Sequence, residues 1–211
     1  NYKADLILLD DAFQHRRVAA GLNILLTPYG NLYSKDIVLP TGNLREPKSG
    51  AKRADLIVVT KCPQNITQNE KDEIIKQLKP KVKQNLFFSW ICYDEFIYSK
   101  GEKVKLTSLK GKDFTIVTGI ANPKPFVSHL KSKLGNFKHL KYKDHHHFSE
   151  TDLRALKQEK IIITTEKDYS RLRFDFDENQ SGTELYYLPI RFEVDDKIEF
   201  NRILIEFAES Y

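Results

Sequence analysis

Short apolar runs that end in polar residues recur along the chain. They occupy residues 6–9, 22–27, 54–60 and 161–163, and each is shorter than a typical helix. A continuous apolar run of this length is typical of a parallel strand that is covered on both faces. The pattern therefore predicts an α/β fold, in which the polar residues after each run lie at the edge of the sheet where ligands bind.

Capping residues predict helices between these strands. Thr67 and Glu70 have the spacing of a capping box, for a helix that runs to about Leu78. Ser149 provides a similar start for a later helix, and the apolar positions of residues 198–207 fit a terminal helix. Together with the apolar runs, these helices support the α/β prediction.

Changes in composition divide the chain into two predicted domains. Residues 86–98 are dense in aromatic and β-branched residues, and we interpret them as a linker hairpin rather than a core strand. Residues 114–120 open a second strand-to-loop pattern that is followed by a helix. We therefore expect a first domain over residues 1–92, and the hairpin, a second α/β domain and the terminal helix over residues 93–211.

The charge of the chain suits an anionic partner. Its 34 Lys and Arg residues exceed its 29 Asp and Glu residues, which gives a net charge of +5. A nucleotide, a nucleic acid, a phospholipid surface or a phosphorylated substrate would each suit this surplus. The lysines are scattered and form no basic stripe interleaved with aromatic residues, so nucleic acid is not the expected partner.

Neither thiol chemistry nor a membrane span is indicated. Cys62 and Cys92 are too few and too far apart for a disulfide framework or a zinc site, which favours a reducing compartment. No apolar run approaches the roughly 18–20 residues that cross a bilayer. The sequence begins at Asn1 and contains no Met, so we expect it to start within a longer protein.

An acid pair follows the first apolar run. Asp10 and Asp11 end it in the manner of a Walker B strand, in which one carboxylate holds Mg²⁺ and the other orients water or substrate. Such a pair also occurs as a solvated strand end or a helix cap. Gln14, His15 and Arg16 follow and suit phosphate oxygens, although the arginine would also simply neutralise the two acids.

A second candidate lies in a loop that prolines delimit. Arg45 and Glu46 stand between Pro40 and Pro47, and they offer a guanidinium for phosphate and a carboxylate for Mg²⁺. The alternative is a surface ion pair of little energetic value. These two residues alone do not decide between the interpretations.

Two further polar segments lie in the second predicted domain. Asp144 precedes the consecutive histidines His145, His146 and His147, and a histidine beside a carboxylate can act as a general base. Consecutive side chains on an extended segment point in opposite directions, so at most two of the three converge on one centre. Residues 165–168 (TEKD) follow a predicted strand and are either a crevice site or the polar start of a helix.

Six segments, in their order and approximate spacing, carry a resemblance to a known family. They are residues 10–16 (DDAFQHR), 39–47 (LPTGNLREP), 52–55 (KRAD), 118–123 (TGIANP), 144–145 (DH) and 165–168 (TEKD). Over nearly the whole chain they resemble the tetraacyldisaccharide 4′-kinases (lipid A 4′-kinases). The family pattern usually has Gly where Ala12 stands, which is a small change unless the backbone there is left-handed, and it has a single His after the Asp.

The resemblance implies a P-loop-kinase-like parallel sheet and a second α/β/α domain joined to it by a two-stranded linker. It implies transfer of the γ-phosphoryl group of ATP, with Mg²⁺, to the 4′-hydroxyl of a tetraacylated glucosamine disaccharide 1-phosphate in lipid A biosynthesis. The sequence lacks the phosphate-binding pattern GxxxxGK[ST], so we expect the sheet to be incomplete and this chain alone to be inactive. The implied enzyme is cytoplasmic and peripheral at the inner face of the inner membrane, with contact mainly through a segment upstream of Asn1.

The resemblance also implies roles for individual residues, in three groups. The Mg²⁺ ligands would be Asp10, Asp11 and Glu46. The nucleotide contacts would be Gln14, His15 and Arg45. The catalytic residues would be Asp11, Asp144 and His145, and His145 would pair with an aspartate upstream of this chain.

Two other functions compete with this interpretation. Asp144, His145 and His146 could be the DHH signature of a metal-dependent phosphoesterase, with Asp10 and Asp11 as additional ligands. Alternatively, the chain could be a non-enzymatic nucleotide-binding regulatory module without a phosphate loop. The phosphoesterase interpretation leaves the remaining motifs unused.

Overall fold

The structure, a computed structural model, describes residues 4–177 and 182–210 and divides into two compact units. The first unit is formed by the chain up to Ile91 together with the part from Phe192 onward, and the second spans Cys92–Arg191. The sequence groups the linker hairpin, the second α/β domain and the terminal helix in residues 93–211, whereas the structure places the part from Phe192 onward with the first unit. The chain returns to the first unit because its last helix has an apolar face that packs on the first sheet.

The elements alternate as an α/β fold requires. The described strands are β1 (Ile24–Pro28), β2 (Leu56–Thr60), β3 (Asn85–Tyr93), β4 (Phe96–Ser99), β5 (Glu102–Lys105), β6 (Thr115–Thr118), β7 (Lys138–Lys141), β8 (Ile161–Thr165), β9 (Glu184–Leu188) and β10 (Ile190–Val194). The described α-helices are α1 (Gln68–Leu78), α2 (Lys124–Leu134), α3 (Glu150–Leu156), α4 (Glu166–Asp177) and α5 (Lys197–Glu209). None of these helices is both long and apolar enough to span a bilayer.

The first sheet has the strand order β1-β2-β3-β10, and β1, β2 and β3 run parallel. One of its faces packs against α1, where Ile57, Val59 and Phe88 of the strands contact Ile74 and Leu78 of the helix. Successive residues of a strand face opposite sides, so every second residue of β2 lies in this core. Burial of each such side chain contributes about 1.5–3 kcal/mol.

The other face of the first sheet packs against α5. Leu56, Val58 and Phe87 contact Phe200 and Ile203, and the rings of Phe87 and Phe200 meet edge to face at 5.1 Å. The prediction of a linker hairpin rather than a core strand for residues 86–98 is therefore wrong for the first part of β3, where Phe87 and Phe88 belong to the core of the first unit. The composition of this segment suits a linker as well as a core strand. Only the packing of α1 and α5 on its two faces shows that it is a core strand here.

Two strands connect the units. β3 and β10 are hydrogen-bonded neighbours that each run from one unit into the other. The amide of Asp195 donates to the carbonyl of Phe88 near one end of this pair, and the amide of Asp94 donates to the carbonyl of Pro189 near the other. This is the two-stranded linker that the resemblance implies.

The second sheet has the order β5-β4-β9-β8-β6-β7 and is parallel from β9 to β7, whereas β4 and β5 form an antiparallel hairpin. One face is covered by α2, which contributes Phe126 and Leu130 to the core. The other face is covered by α3 and α4, which contribute Leu156 and Leu172. The second unit is therefore an α/β/α sandwich, as predicted.

The first apolar run does not form the predicted strand. Leu6, Ile7, Leu8 and Leu9 are 50%, 74%, 87% and 53% exposed and belong to no sheet. Within the described residues, β1 has β2 as its only neighbour, and nothing pairs with residues 6–9. An apolar run becomes a buried strand only where other strands and a covering layer surround it, and the described residues provide neither.

Candidate functional site

The acid pair lies in a turn and reaches the Arg45 loop. Asp11 has a left-handed backbone, with φ at +50°, and its Oδ2 accepts a hydrogen bond of 2.7 Å from Nη1 of Arg45. The backbone at Ala12 is not left-handed, so Ala replaces the usual Gly there without strain. The amide of His15 donates to the carbonyl of Ala12 at 2.7 Å and closes the turn. Residues 34 positions apart in the sequence are thereby brought together.

A small cavity of about 50 Å³ lies beside this turn in the first unit. Gln14, Arg45, Glu46 and Lys48 provide its polar wall. The rest of its lining is mainly apolar and consists of Phe13, Leu25, Tyr33, Leu44, Pro47 and Ala51. The two cations and the amide suit a phosphate group, and the carboxylate of Glu46 in the same wall is paired with Arg53. The predicted contacts Gln14 and Arg45 therefore share one cavity, whereas His15 does not line it.

The loop that carries Arg45 is held by its own hydrogen bonds. Both oxygens of Asp36 are used: Oδ1 accepts from the amides of Ile37 and Asn43, and Oδ2 accepts from the Asn43 side chain. These bonds lower the pKa of the Asp36 carboxyl, mainly through the Ile37 amide. Gly42 lies so close to the carbonyl of Ile37 that a Cβ there would clash at 2.2 Å. A residue with a side chain would not permit this loop.

Glu46 is held by an arginine that the sequence analysis does not assign to the site. Nη2 of Arg53 lies 2.8 and 3.0 Å from the two carboxylate oxygens, and it also donates to the carbonyl of Phe13 at 3.0 Å. The guanidinium stacks 4.8 Å from the centre of the Phe13 ring. The segment at residues 52–55 contained the only signal for Arg53. The contacts of Arg53 therefore connect the loop that carries Arg45 and Glu46 to the turn after the acid pair.

The predicted Mg²⁺ ligands are not gathered into one group. Asp11 is paired with Arg45 and Glu46 with Arg53, and the described part of the chain contains no cluster of three His, Cys, Asp or Glu side chains that could hold a metal. Asp10 has no hydrogen-bond or ion-pair partner among these residues. Mg²⁺ in phosphoryl-transfer sites is usually bound by one or two carboxylates together with nucleotide phosphates. A single protein carboxylate such as Asp10 is therefore compatible with such a site.

The second unit holds the predicted Asp144 and His145 in a tight loop, which we call the His145 loop (residues 143–146). His145 has a left-handed backbone, with φ at +55°, and its amide donates to the carbonyl of Gly119 at 3.2 Å. Asp144 Oδ1 accepts from the same amide at 3.1 Å. Its Oδ2 lies 3.9 Å from Nε2 of the imidazole, which is too long for a hydrogen bond. Asp144 therefore holds the backbone of His145 rather than its ring.

The neighbouring histidine has a structural role. Nε2 of His146 lies 3.0 Å from Oδ2 of Asp152, and its ring stacks on Tyr142 at 4.7 Å and meets Phe148 edge to face. The side chains of His145 and His146 therefore have separate partners. With no metal-capable cluster among the described residues, the phosphoesterase interpretation has no structural support.

The segment at residues 165–168 is the start of a helix. α4 begins at Glu166, and Asp168 turns inward, where it is fully buried against Gly119 and Arg171. Lys167 points the other way, and its Nζ lies 3.2 Å from Nε2 of His145. The predicted polar helix start is observed, and the crevice site stays a prediction. Arg171 was not predicted from the sequence, where its spacing of three from Asp168 was the only sign of this pair.

Comparisons with known proteins agree with these motifs. A family model described as tetraacyldisaccharide-1-P 4′-kinase matches residues 1–209. A tetraacyldisaccharide 4′-kinase of Flavobacterium johnsoniae is 48% identical over 194 residues, covering 90% of this chain and 55% of the relative. One from Bacteroides thetaiotaomicron is 37% identical, covering 98% of this chain and 60% of the relative.

A solved structure has the same fold. The crystal structure of LpxK from Aquifex aeolicus in complex with ATP has a TM-score of 0.63 and 24% identity, and it covers 94% of this chain and 56% of that one. The chain thus spans 55–61% of the length of the first curated relatives that it matches. From the family match and these identities, the chain belongs to the tetraacyldisaccharide 4′-kinase family.

Proposed function

We propose that the protein transfers the γ-phosphoryl group of ATP to the 4′-hydroxyl of a tetraacylated glucosamine disaccharide 1-phosphate. The observation that carries this proposal is the family match over residues 1–209. In the transfer, the acceptor oxygen forms a bond to phosphorus as the bond between phosphorus and the leaving ADP oxygen breaks. The acceptor hydroxyl must also lose its proton.

Gln14 and Arg45 are the proposed phosphate contacts. They line one cavity in the first unit, and the Arg45 side chain is 58% exposed, so it is accessible to a ligand. Positioning and charge neutralisation account for most of the catalysis of phosphoryl transfer. An incoming phosphate would compete with Asp11 for the guanidinium of Arg45. The Asp11 carboxylate would then be free of its ion pair.

His145 is the proposed acceptor of the hydroxyl proton. Its side chain is 72% exposed in a loop whose backbone is fixed, which suits a group that must reach a substrate. Its Nε2 lies 3.2 Å from Nζ of Lys167, so this contact must open before that nitrogen can accept the proton. Asp144 supports this function by holding the amide of His145.

Mg²⁺ is proposed as the second cofactor, and Asp10 is the residue that would hold it. When bound with ATP, the ion would neutralise the charge that develops on the phosphates. Metal roles for Asp11 and Glu46 would require each to leave its arginine. We therefore expect Asp10→Asn to weaken the dependence of the rate on Mg²⁺ more than Glu46→Gln does.

An acylated disaccharide is a bilayer lipid, so we also propose peripheral contact with the cytoplasmic face of the inner membrane. The net charge of +5 is compatible with an anionic lipid surface. Nucleic acid is not proposed as a partner. The lysines of the chain show no arrangement suited to it.

The test is a phosphoryl-transfer assay on the protein expressed from its complete reading frame, with ATP, Mg²⁺ and the tetraacylated disaccharide 1-phosphate. We expect His145→Ala to lower kcat by roughly 10²–10⁴-fold, the usual contribution of a general base. His147→Ala is the matched control, since it removes an exposed imidazole two positions away. Arg45→Ala should raise KM for ATP by roughly tenfold or more, whereas Arg202→Ala, an exposed arginine of α5, should not.

Different results would reject different parts of the proposal. If the unaltered protein forms no 4′-phosphorylated product, the proposed activity is wrong. If it forms product and His145→Ala behaves like His147→Ala, the activity stands and the proton acceptor is another group.

A further inference from the structure

The first turn of α4 contains an acid that the proposed chemistry does not use. Asp168 is 0% exposed, although an isolated buried carboxylate is strongly unfavourable. Its Oδ2 accepts hydrogen bonds from the amide of Gly119 at 2.9 Å and from the hydroxyl of Thr165 at 2.8 Å. Its Oδ1 accepts one of 2.6 Å from Arg171. Both oxygens are fully engaged inside the second unit, so this carboxylate is not available to a ligand.

Arg171 extends the contact to the His145 loop. Its Nη2 donates to the carbonyl of Gly119 at 3.2 Å, and its Nη1 donates to the carbonyl of His146 at 3.2 Å. A guanidinium presents several donors in one rigid plane, so a single side chain can bridge these separate carbonyls. The buried pair therefore connects α4, the turn after β6 and the His145 loop.

The position of His145 depends on the same turn. Its amide donates to the Gly119 carbonyl that Arg171 also contacts. The left-handed backbone of His145 is unfavourable for a residue with a side chain and persists only where its surroundings enforce it. A Cβ at residue 119 would lie 3.0 Å from Oδ1 of Asp168, so Gly119 allows the close approach of the carboxylate.

We infer that Asp168 and Arg171 are positioning residues that hold His145 in its working place, an inference that rests on the proposed function. They act through the backbone of the His145 loop and need not touch the substrate. Lys167 lies in the same helical turn as Asp168 and contacts the imidazole itself, with its Nζ 3.2 Å from Nε2 of His145. A displacement of about 1 Å at a reacting group can cost roughly 10²-fold in rate, so loss of this support should be visible in kcat.

The test is a double-mutant cycle on the protein expressed from its complete reading frame. Arg171→Lys keeps the charge, but one ammonium cannot bridge Asp168 and both carbonyls. Asp168→Asn keeps the size, removes the charge and replaces one of the two acceptor oxygens with an amide donor. Each variant is made alone and together with His145→Ala, and kcat, KM for ATP and the thermal midpoint are measured. Arg154→Lys is the matched control, because its partner Glu150 lies on the surface of the same unit.

We expect Arg171→Lys and Asp168→Asn each to lower kcat by roughly tenfold or more, with little change in KM for ATP. In the His145→Ala background the same changes should lower kcat by less than about twofold, because the residue they position is gone. An equal loss in both backgrounds would overturn the inference, since the pair would then act by some route other than His145. A kcat equal to that of Arg154→Lys would overturn it too.

A second measurement does not depend on activity. Amide hydrogen exchange should become faster at His145 in Arg171→Lys, while the amide of Ile163 in the core strand stays protected. Unchanged exchange at His145 would contradict the inference even if the proposed kinase activity is confirmed. Faster exchange in a protein that phosphorylates no disaccharide would reject the proposed function and leave only the structural coupling.

Discussion

At the residue scale, arginines determine which acids of the first unit are accessible. Arg45 pairs with Asp11 and Arg53 pairs with Glu46, and each pair joins residues that are not neighbours in the sequence. The Glu46 side chain is the more enclosed of the two acids, at 19% exposed against 67% for Asp11. Three carboxylates that appear as one ligand set in the sequence therefore have three different environments.

Gly50 provides a test of the Glu46 pocket. A Cβ at this position would lie 2.5–2.7 Å from the carboxylate of Glu46. We expect Gly50→Ala to push that carboxylate away from Arg53 and to lower the free energy of unfolding by about 1.5–3 kcal/mol, the scale of a hydrogen bond to a charged group. Urea unfolding measures the change.

Two controls identify the cause. Gly30→Ala meets nothing within 4 Å and should leave stability unchanged or slightly higher, by up to about 1 kcal/mol. In a Glu46→Ala background, Gly50→Ala should no longer destabilise. A loss that persists in that background would mean that the clash with Glu46 is not its origin.

At the element scale, side chains in the first turns of helices also bind neighbouring loops. The predicted capping box of α1 is confirmed, since Thr67 and Glu70 bond reciprocally. α3 has a similar box, in which Asp152 accepts from the hydroxyl and amide of Ser149 and also contacts His146. The start of α4 binds the His145 loop through side chains. The sheet edge of the second unit is therefore organised by the helix N-termini around it.

The cap of α3 predicts a pH dependence of stability. The hydroxyl and then the amide of Ser149, followed by His146, lower the pKa of Asp152 from 3.8 to about 2. A carboxyl whose pKa is lowered by folding stabilises the folded state at pH values above 3.8, and this contribution is lost as the pH falls toward 2. The Tm difference between the unaltered protein and Asp152→Asn should therefore be largest above pH 3.8 and narrow below it.

Thermal unfolding across an acidic pH series measures this effect. Glu150→Gln is the matched control, because its side chain is 87% exposed and its surface pair with Arg154 is worth little. A Tm difference for Asp152→Asn that stays constant from neutral pH to pH 2 would contradict the assignment. In that case the variant would act through packing rather than through protonation.

At the scale of the whole molecule, the chain leaves the first unit at β3 and returns to it at β10. Asp195 secures the return: its Oδ1 accepts from the amide of Phe88, 107 residues earlier, and its Oδ2 pairs with Lys71 of α1 at 2.8 Å. α5 then covers the second face of the first sheet. The first unit is complete only when its final segment has docked.

We expect Asp195→Ala to destabilise the first unit by about 1.5–3 kcal/mol, because it leaves a charged partner and a backbone amide without their acceptor. Hydrogen exchange at the amides of β2 should report the change, and urea unfolding its size. Glu193→Ala on β10, two residues before Asp195, is the control, since it loses only a surface pair with Lys197, whose side chain is 62% exposed. Equal effects of the two variants would show that the docking contacts of Asp195 carry no special stability.

The sequence by itself determined the fold class, most of the elements and the family. These follow from local signals, namely apolar runs, capping spacings and short motifs. Each of these patterns extends over about ten residues or fewer, so it can be recognised without knowledge of the fold. The sequence also named Asp144, His145, Gln14 and Arg45 as candidate site residues. The structure places the first two in one loop and the other two on the wall of one cavity.

Tertiary structure alone decided the environment of each predicted residue. Residues 6–9 have the composition of a buried strand but are exposed. β3 is a core strand over its first residues and a linker strand beyond them, and the terminal helix belongs to the first unit. Burial and pairing depend on neighbours that are distant along the chain, and no local pattern encodes them. For the same reason, Arg53 and Arg171 became visible as partners of Glu46 and Asp168 only when the chain was folded.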